Sequence, residues 1–288
     1  LEWWHIGGLL MGIGQAAYLL INQHFRIESR LLMYWRGFGI AALALPLALL
    51  AGPWPHDVWF YFFAAATGIL VGFFDRLIFQ FSAQYGAGIV SRLLALCLPL
   101  AFIFWLALHP AHMNTLASKP HIWLLPVALL GTLASVLLLK RDPVSRTAVI
   151  ALVPLYLLGA SIDVLNKTAM QHGNGMPGFI LYAVIVSLMA GIVTLLWPRK
   201  SAAPVTANAL AAVWQGGALI VIIGGAYVVL KASSISSAPN PAFITALNLT
   251  GPFWVMVWNI WRKHPDSTNL WAGFGCVASA LLLVFATL

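Results

Sequence analysis

The stretch VWFYFFAAATGILVGFFDRLIFQF, residues 58–81, decides the fold class. It is apolar for longer than the roughly 20 residues a helix needs to cross a bilayer. Yet Asp75 and Arg76 sit side by side within it. A charge at membrane depth costs several kcal/mol, by an amount set by depth and water access. Such residues therefore point to function unless they pair or reach an interface.

The rest of the chain reads the same way. Its 288 residues are 61% hydrophobic and only 8% charged, where a soluble domain is about 25% charged. The net charge of +8 reads as basic loops on a membrane protein. No basic amphipathic arm or stacking platform argues for nucleic acid, and none is expected as a partner. The partners expected are a small-molecule substrate and membrane lipids. Cys97 and Cys276 lie inside apolar runs, so neither a disulfide framework nor a metal cluster is expected. Apolar sequence begins at Trp3 with no basic stretch before it, so no cleavable signal peptide is expected.

Apolar runs broken by Gly, Pro and charge clusters number ten: about 3–23, 31–51, 58–82, 88–108, 121–140, 147–170, 177–197, 208–232, 240–261 and 269–287. Helices are the default, because lipid offers the backbone no hydrogen bonds. The runs are too long and too uniformly apolar for the alternation of a barrel. Trp3, Trp4, Trp54, Trp59, Trp123, Trp197, Trp261 and Trp271 fall near run ends and read as an aromatic belt.

The chain also repeats itself. LVGFFDRLIFQFSAQYGAGIVSRLLALCLPLAFIFW (70–105) lies over IIGGAYVVLKASSISSAPNPAFITALNLTGPFWVMVW (222–258), matching Gly72 with Gly224 and Ser82 with Ser234. GQAAYLLIN (14–22) lies over GASIDVLNK (159–167). The expected fold is an all-α integral membrane protein of ten transmembrane helices, arranged as two five-helix repeats, 1–142 and 143–288. Five is odd, so the second copy is inverted, as in many secondary transporters. Arg26, Arg30, Lys140, Arg141, Arg146, Arg199, Lys200, Arg262 and Lys263 share one side of this arrangement, and the other carries only Lys119. That bias puts the basic side in the cytoplasm and both termini outside, across a bacterial-type inner membrane.

Ten spans, the five-plus-five repeat, YWRGFGIAALALPLAL (34–49) and GAGIVSRLLALCLPLAFIFW (86–105) resemble the drug/metabolite transporter superfamily, EamA-type branch. The resemblance covers nearly the whole chain. It implies alternating access around a central cavity, and export of amino acids, other metabolites or drugs, or movement of nucleotide sugars and sugar phosphates. The chain departs in one respect: typical members keep both termini in the cytoplasm.

Within the runs lie Arg36, Arg76, Arg92, Lys167 and Lys231, opposed only by Asp75 and Asp163. Internal pairing would need closer balance. The functional reading is a site for a carboxylate or phosphate, which Arg grips with two parallel donors. Arg76 and Arg92 flank one short turn and are expected to meet the acidic group. Lys167 and Lys231 take the corresponding place in the second copy. Against this stands snorkelling of each cation to its nearest interface, the favoured reading for Arg36. Asp75 is expected to orient an Arg or to partner a neighbouring helix.

Asp163, Asn166 and Lys167 fall at i, i+3 and i+4, on one helical face. They form an internal pair or, equally, a proton-coupling switch centred on Asp163. Tyr18, Asn22 and Asn248 are neutral groups fit for substrate or for contacts between helices. No Walker pattern, no H-E-x-x-H and no mid-span His pair is present, so neither a cofactor nor a metal is expected and the chain does not read as an enzyme. The rival readings are a multidrug or amino-acid exporter whose charges pair internally, and a lipid-binding or lipid-translocating membrane protein.

Overall fold

The computed structural model describes residues 2–25, 28–85, 94–138, 146–196, 207–262 and 269–287, and these are helical with short connections. The helices are α1 (Trp3–Phe25), α2 (Ser29–Tyr34), a π turn (Trp35–Gly39), α3 (Ile40–Leu50), α4 (Val58–Tyr85), α5 (Cys97–Leu108) after a 3₁₀ turn (Leu94–Leu96), α6 (Ala111–Ala117), and α7 (Leu125–Leu138) after a 3₁₀ turn (Ile122–Leu124). There follow α8 (Arg146–Ala151), α9 (Val153–Gln171), α10 (Met176–Leu196), α11 (Ala207–Ser237), α12 (Pro241–Asn248), α13 (Gly251–Trp261) and α14 (Leu270–Thr287). Each apolar run is thus mainly helical over its described residues.

Arg30–Leu50, Val58–Ile78, Met176–Leu196, Val213–Ser237 and Pro241–Trp261 are long and apolar enough to cross a bilayer, and Leu94–Leu108, Ile122–Leu138 and Trp271–Thr287 are shorter apolar helices. The chain is a multi-pass helical membrane protein. Large apolar side chains such as Leu50, Val58, Leu130 and Ile222 lie outward, as lipid favours. Small residues share the interior with a few large ones: Ala44, Ala64, Ala169, Ala183 and Ala232 are buried together with Phe60 and Tyr182. Small side chains let helices approach where lipid supplies no hydrophobic drive to associate. Trp3, Trp54, Trp59, Trp123, Trp261 and Trp271 are exposed as a belt requires. Trp4 departs from it: it is buried, stacked on His5 and Phe243. Trp197 lies outside the described residues.

Contacts group the chain into two units. One comprises Leu1–Ala16, Leu77–Val164 and Ser234–Leu288; the other comprises Ala17–Arg76 and Leu165–Ser233. Each draws on both sequence copies. The alignment that lays 14–22 over 159–167 and 70–105 over 222–258 carries 17–76 onto about 162–228, which nearly reproduces the second unit.

In the first unit, α7 and α14 run antiparallel on a reciprocal seam. A Cβ on Gly131 would lie 2.6 Å from Ser279 Oγ, and one on Gly275 would lie 2.5 Å from Ser135 Oγ. In the second unit, α10 is the template. The π turn meets it backbone to backbone, since a Cβ on Gly37 would stand 2.5 Å from Gly191 Cα. Helix α4 meets it through Gly72, whose Cβ would lie 2.7 Å from Val193 Cβ and 3.2 Å from Ala190 Cα. Both contacts fall at the same level of α10, and that brings Arg36 and Asp75 to one depth.

A polar strap closes one end of this unit. Asp57 accepts from the Trp59 amide at 2.9 Å and lies 2.6 Å from His172 Nδ1. Asn174 donates to the Pro53 carbonyl at 2.6 Å, and Gly175 turns the chain with φ +79. The Trp59 amide first, then His172, hold the Asp57 carboxyl below its ordinary value of 3.8. A depressed carboxyl stabilises the fold fully above the unfolded value and loses that contribution as pH falls through the folded one. Thermal melts of wild type and Asp57→Asn should therefore differ from pH 5 upward by a small margin, as expected of an exposed pair, and converge as pH drops below the ordinary carboxylate range. A gap that persists in acid would remove the charge from the explanation.

Candidate functional site

The polar centre of the second unit is built by four helical segments. Arg36 lies in the π turn, where one extra residue widens the helix; such turns are rare and frequent at functional sites. Its guanidinium Nη1 donates to Asp75 Oδ2 of α4, and the two side chains are 28% and 9% exposed. Arg36 Cζ also sits 5.8 Å from the centre of the Tyr18 ring on α1, within cation–π range. Helix α11 runs alongside. A Cβ on Gly217 would strike the Trp35 ring at 2.4 Å, one on Gly39 would strike Val221 Cγ2 at 2.4 Å, and one on Gly224 would lie 2.9 Å from Ile40 Cδ1 and 3.7 Å from Tyr18 Cε2. Positions 217, 221, 224, 228 and 231 recur at helical spacing, so Lys231 continues the face of α11 that packs on the Arg36 segment. Lys231 acts electrostatically on Asp75, and Tyr227 on Arg36.

The cluster thus joins Tyr18, Arg36, Asp75, Tyr227 and Lys231. Its two cations set against one carboxylate leave it net positive. Arg36 offers five donors in a planar fork, and its bond to Asp75 uses one nitrogen. The arrangement can therefore receive a further anionic oxygen without losing its internal pair.

One sequence expectation changes here. Arg36 does not stand alone, as a snorkelling side chain would, but pairs with Asp75. Asp75 accordingly partners a neighbouring helix, and the guanidinium it orients is that of Arg36. Its neighbour Arg76 stands about 100° further round α4, half-buried and within electrostatic reach of Arg30. Arg30 in turn donates from Nε to Tyr34 Oη at 3.1 Å. Arg92 lies outside the described residues.

The remaining expected residues divide between the units. Lys167 and Asn166 are buried in the second unit, and Asn166 Oδ1 accepts from the Tyr182 hydroxyl. Asn22 is in α1, but its side chain lies outside the described residues. Asp163 belongs to the first unit, 5% exposed, where Thr245 Oγ1 donates to its Oδ2 at 2.5 Å. Asn248, in the same unit, has a buried Oδ1 with no donor among the described residues.

Sequence reasoning missed Arg36 and Tyr227. Asp75 and Asp163 are the only carboxylates within the runs, and each had to meet something; but a π turn leaves no mark in hydropathy. Among the described residues no cluster of three or more His, Cys, Asp or Glu could hold a metal ion. The chain matches no protein-family model and no curated protein.

Proposed function

We propose that this chain is a secondary transporter of the drug/metabolite transporter type, with ten spans in two inverted five-helix copies, which moves a small organic anion or zwitterion by alternating access. The observation that carries the reading is the Arg36–Asp75 pair with Lys231 beside it. A buried ion pair rarely adds net stability over packed apolar residues, so a net-positive cluster on membrane helices has its use in a ligand. A substrate carboxylate is received between Arg36 and Lys231, Tyr18 lies over the guanidinium, and in a zwitterion the ammonium takes Asp75. Arg36 and Lys231 thus take the role that the sequence assigned to Arg76 and Arg92. The composition of each contact unit, from corresponding segments of both copies, supports the inverted repeat. Loop charge supports an inner-membrane protein with both termini outside.

A second reading rests on the same pair. If Arg36 and Asp75 serve only each other, the chain is an exporter of neutral or cationic solutes. Thermal stabilisation of the purified protein in nanodiscs separates the two. Carboxylates and amino acids should raise the melting temperature saturably while simple amines do not, and Lys231→Met should weaken that response at least tenfold, about 1.4 kcal/mol. Stabilisation by amines alone, or an unaltered Lys231→Met, supports the exporter.

A further inference from the structure

The first unit carries a second polar centre that the substrate site does not use. At Leu249–Thr250 the helix breaks: α12 ends at Asn248 and α13 begins at Gly251. Pro252 follows, and a proline has no N–H to return to the Asn248 carbonyl four residues back. Thr250 turns its hydroxyl to the Leu247 carbonyl at 2.8 Å. Helix α1 lies against the break. A Cβ on Gly12 would fall 2.1 Å from Thr250 Oγ1, and one on Gly251 would lie 3.2 Å from the Gly12 carbonyl and 3.5 Å from Gln15 Cβ and Cγ. One turn earlier, Thr245 reaches Asp163 of α9.

Oxygen-bearing side chains therefore line this break, and two of them lack donors. Gln15 Oε1 and Asn248 Oδ1 are both buried with no hydrogen-bond donor among the described residues. Thr245 and Asn248 are three residues apart, on one face of α12. Gln15 packs where that helix ends. Asp163 supplies a carboxylate that is 5% exposed.

We propose that Asp163, Thr245, Asn248 and Gln15 form a binding site for a monovalent alkali cation of the sodium class at the α12–α13 break. Amide and hydroxyl oxygens with one carboxylate are ligands for a hard cation. A cation satisfies orphaned acceptors that would otherwise need donors. A singly charged ion costs less to bury in a low-dielectric site than a divalent ion of similar size. The Asn248 carbonyl, which Pro252 cannot serve as a helical donor, is placed to complete the shell. Use of this ion to drive transport rests on the transport reading above; its binding does not.

The test uses the full-length protein in nanodiscs with no organic solute, so it stands apart from the anion reading. NaCl should raise the melting temperature saturably, and choline chloride at equal ionic strength should not. Asp163→Asn should lose the difference, Asn248→Ala should weaken it, and Thr245→Ser, which keeps the hydroxyl, should retain it. Binding of radioactive sodium to the wild type supplies a measurement that needs no variant to fold. Identical melts in sodium and choline, no sodium bound, or a full response in Asp163→Asn would each overturn the site. Water bonded to the same oxygens gives the first of these results.

Discussion

Arg36→Gln is expected to abolish the proposed transport and to cost about 3–5 kcal/mol of stability, because it strands the Asp75 carboxylate in a buried position. Asp75→Asn has the same effect in reverse, leaving Arg36 without the carboxylate it touches. The double variant, Arg36→Gln with Asp75→Asn, removes both charges and regains most of the stability while transport stays lost. Thermal melts and solute flux in proteoliposomes, measured on the three variants and wild type, separate the two roles. A double variant that transports like wild type would make the pair a packing device. Arg36→Lys also fails at flux: a single ammonium cannot hold Asp75 and a substrate oxygen with the geometry of a planar fork.

Gly37→Ala is expected to be the most damaging single methyl in the second unit. The new carbon would stand 2.5 Å from Gly191 Cα and 2.8 Å from Gly191 N. These are main-chain atoms of α10 and cannot swing aside, so the π turn must lift off its template. Overpacking of this kind costs on the order of 1–3 kcal/mol, and here it also shifts Arg36 from the level of Asp75, so stability and flux fall together. Gly191→Ala is the internal control. Its Cβ would meet the Phe38 ring at 3.1 Å, a side chain that can turn, so its loss should be clearly smaller. Equal melting temperatures for Gly37→Ala and wild type would mean that the two backbones do not touch.

The two variants probe what could and could not be read in the chain. The helices were legible because their cause is local and dominant: a run such as 177–197 holds apolar residues throughout, and lipid forces its backbone to bond within itself. Helix ends were legible only as the ends of apolar runs. Asn240 caps α12 by accepting from the Ala242 amide at 2.9 Å, with Pro241 as the first helical residue. Irregular helix falls within both aligned segments, a 3₁₀ turn over Leu94–Leu96 in 70–105 and the Leu249–Thr250 break in 222–258.

Charge partners were not legible in the same way. The sequence isolates Asp75 and Asp163 as carboxylates that need company, and both found it: Asp75 in Arg36, Asp163 in Thr245. Which residue answers each is a question of neighbouring helices, and 39 residues separate Arg36 from Asp75, 82 separate Asp163 from Thr245. No periodicity within one helix carries that information. The expectation that Arg36 snorkels followed from its place six residues into a run; the π turn and the Gly37–Gly191 contact turn it inward instead.

By itself, then, the sequence determined that this is a helical membrane protein, where its helices lie and how few charges they carry, since apolar length and backbone satisfaction act residue by residue. Only the tertiary structure decided which charges meet. That choice depends on how closely glycine-lined helices approach and at what level, a property of pairs of surfaces that no single run contains.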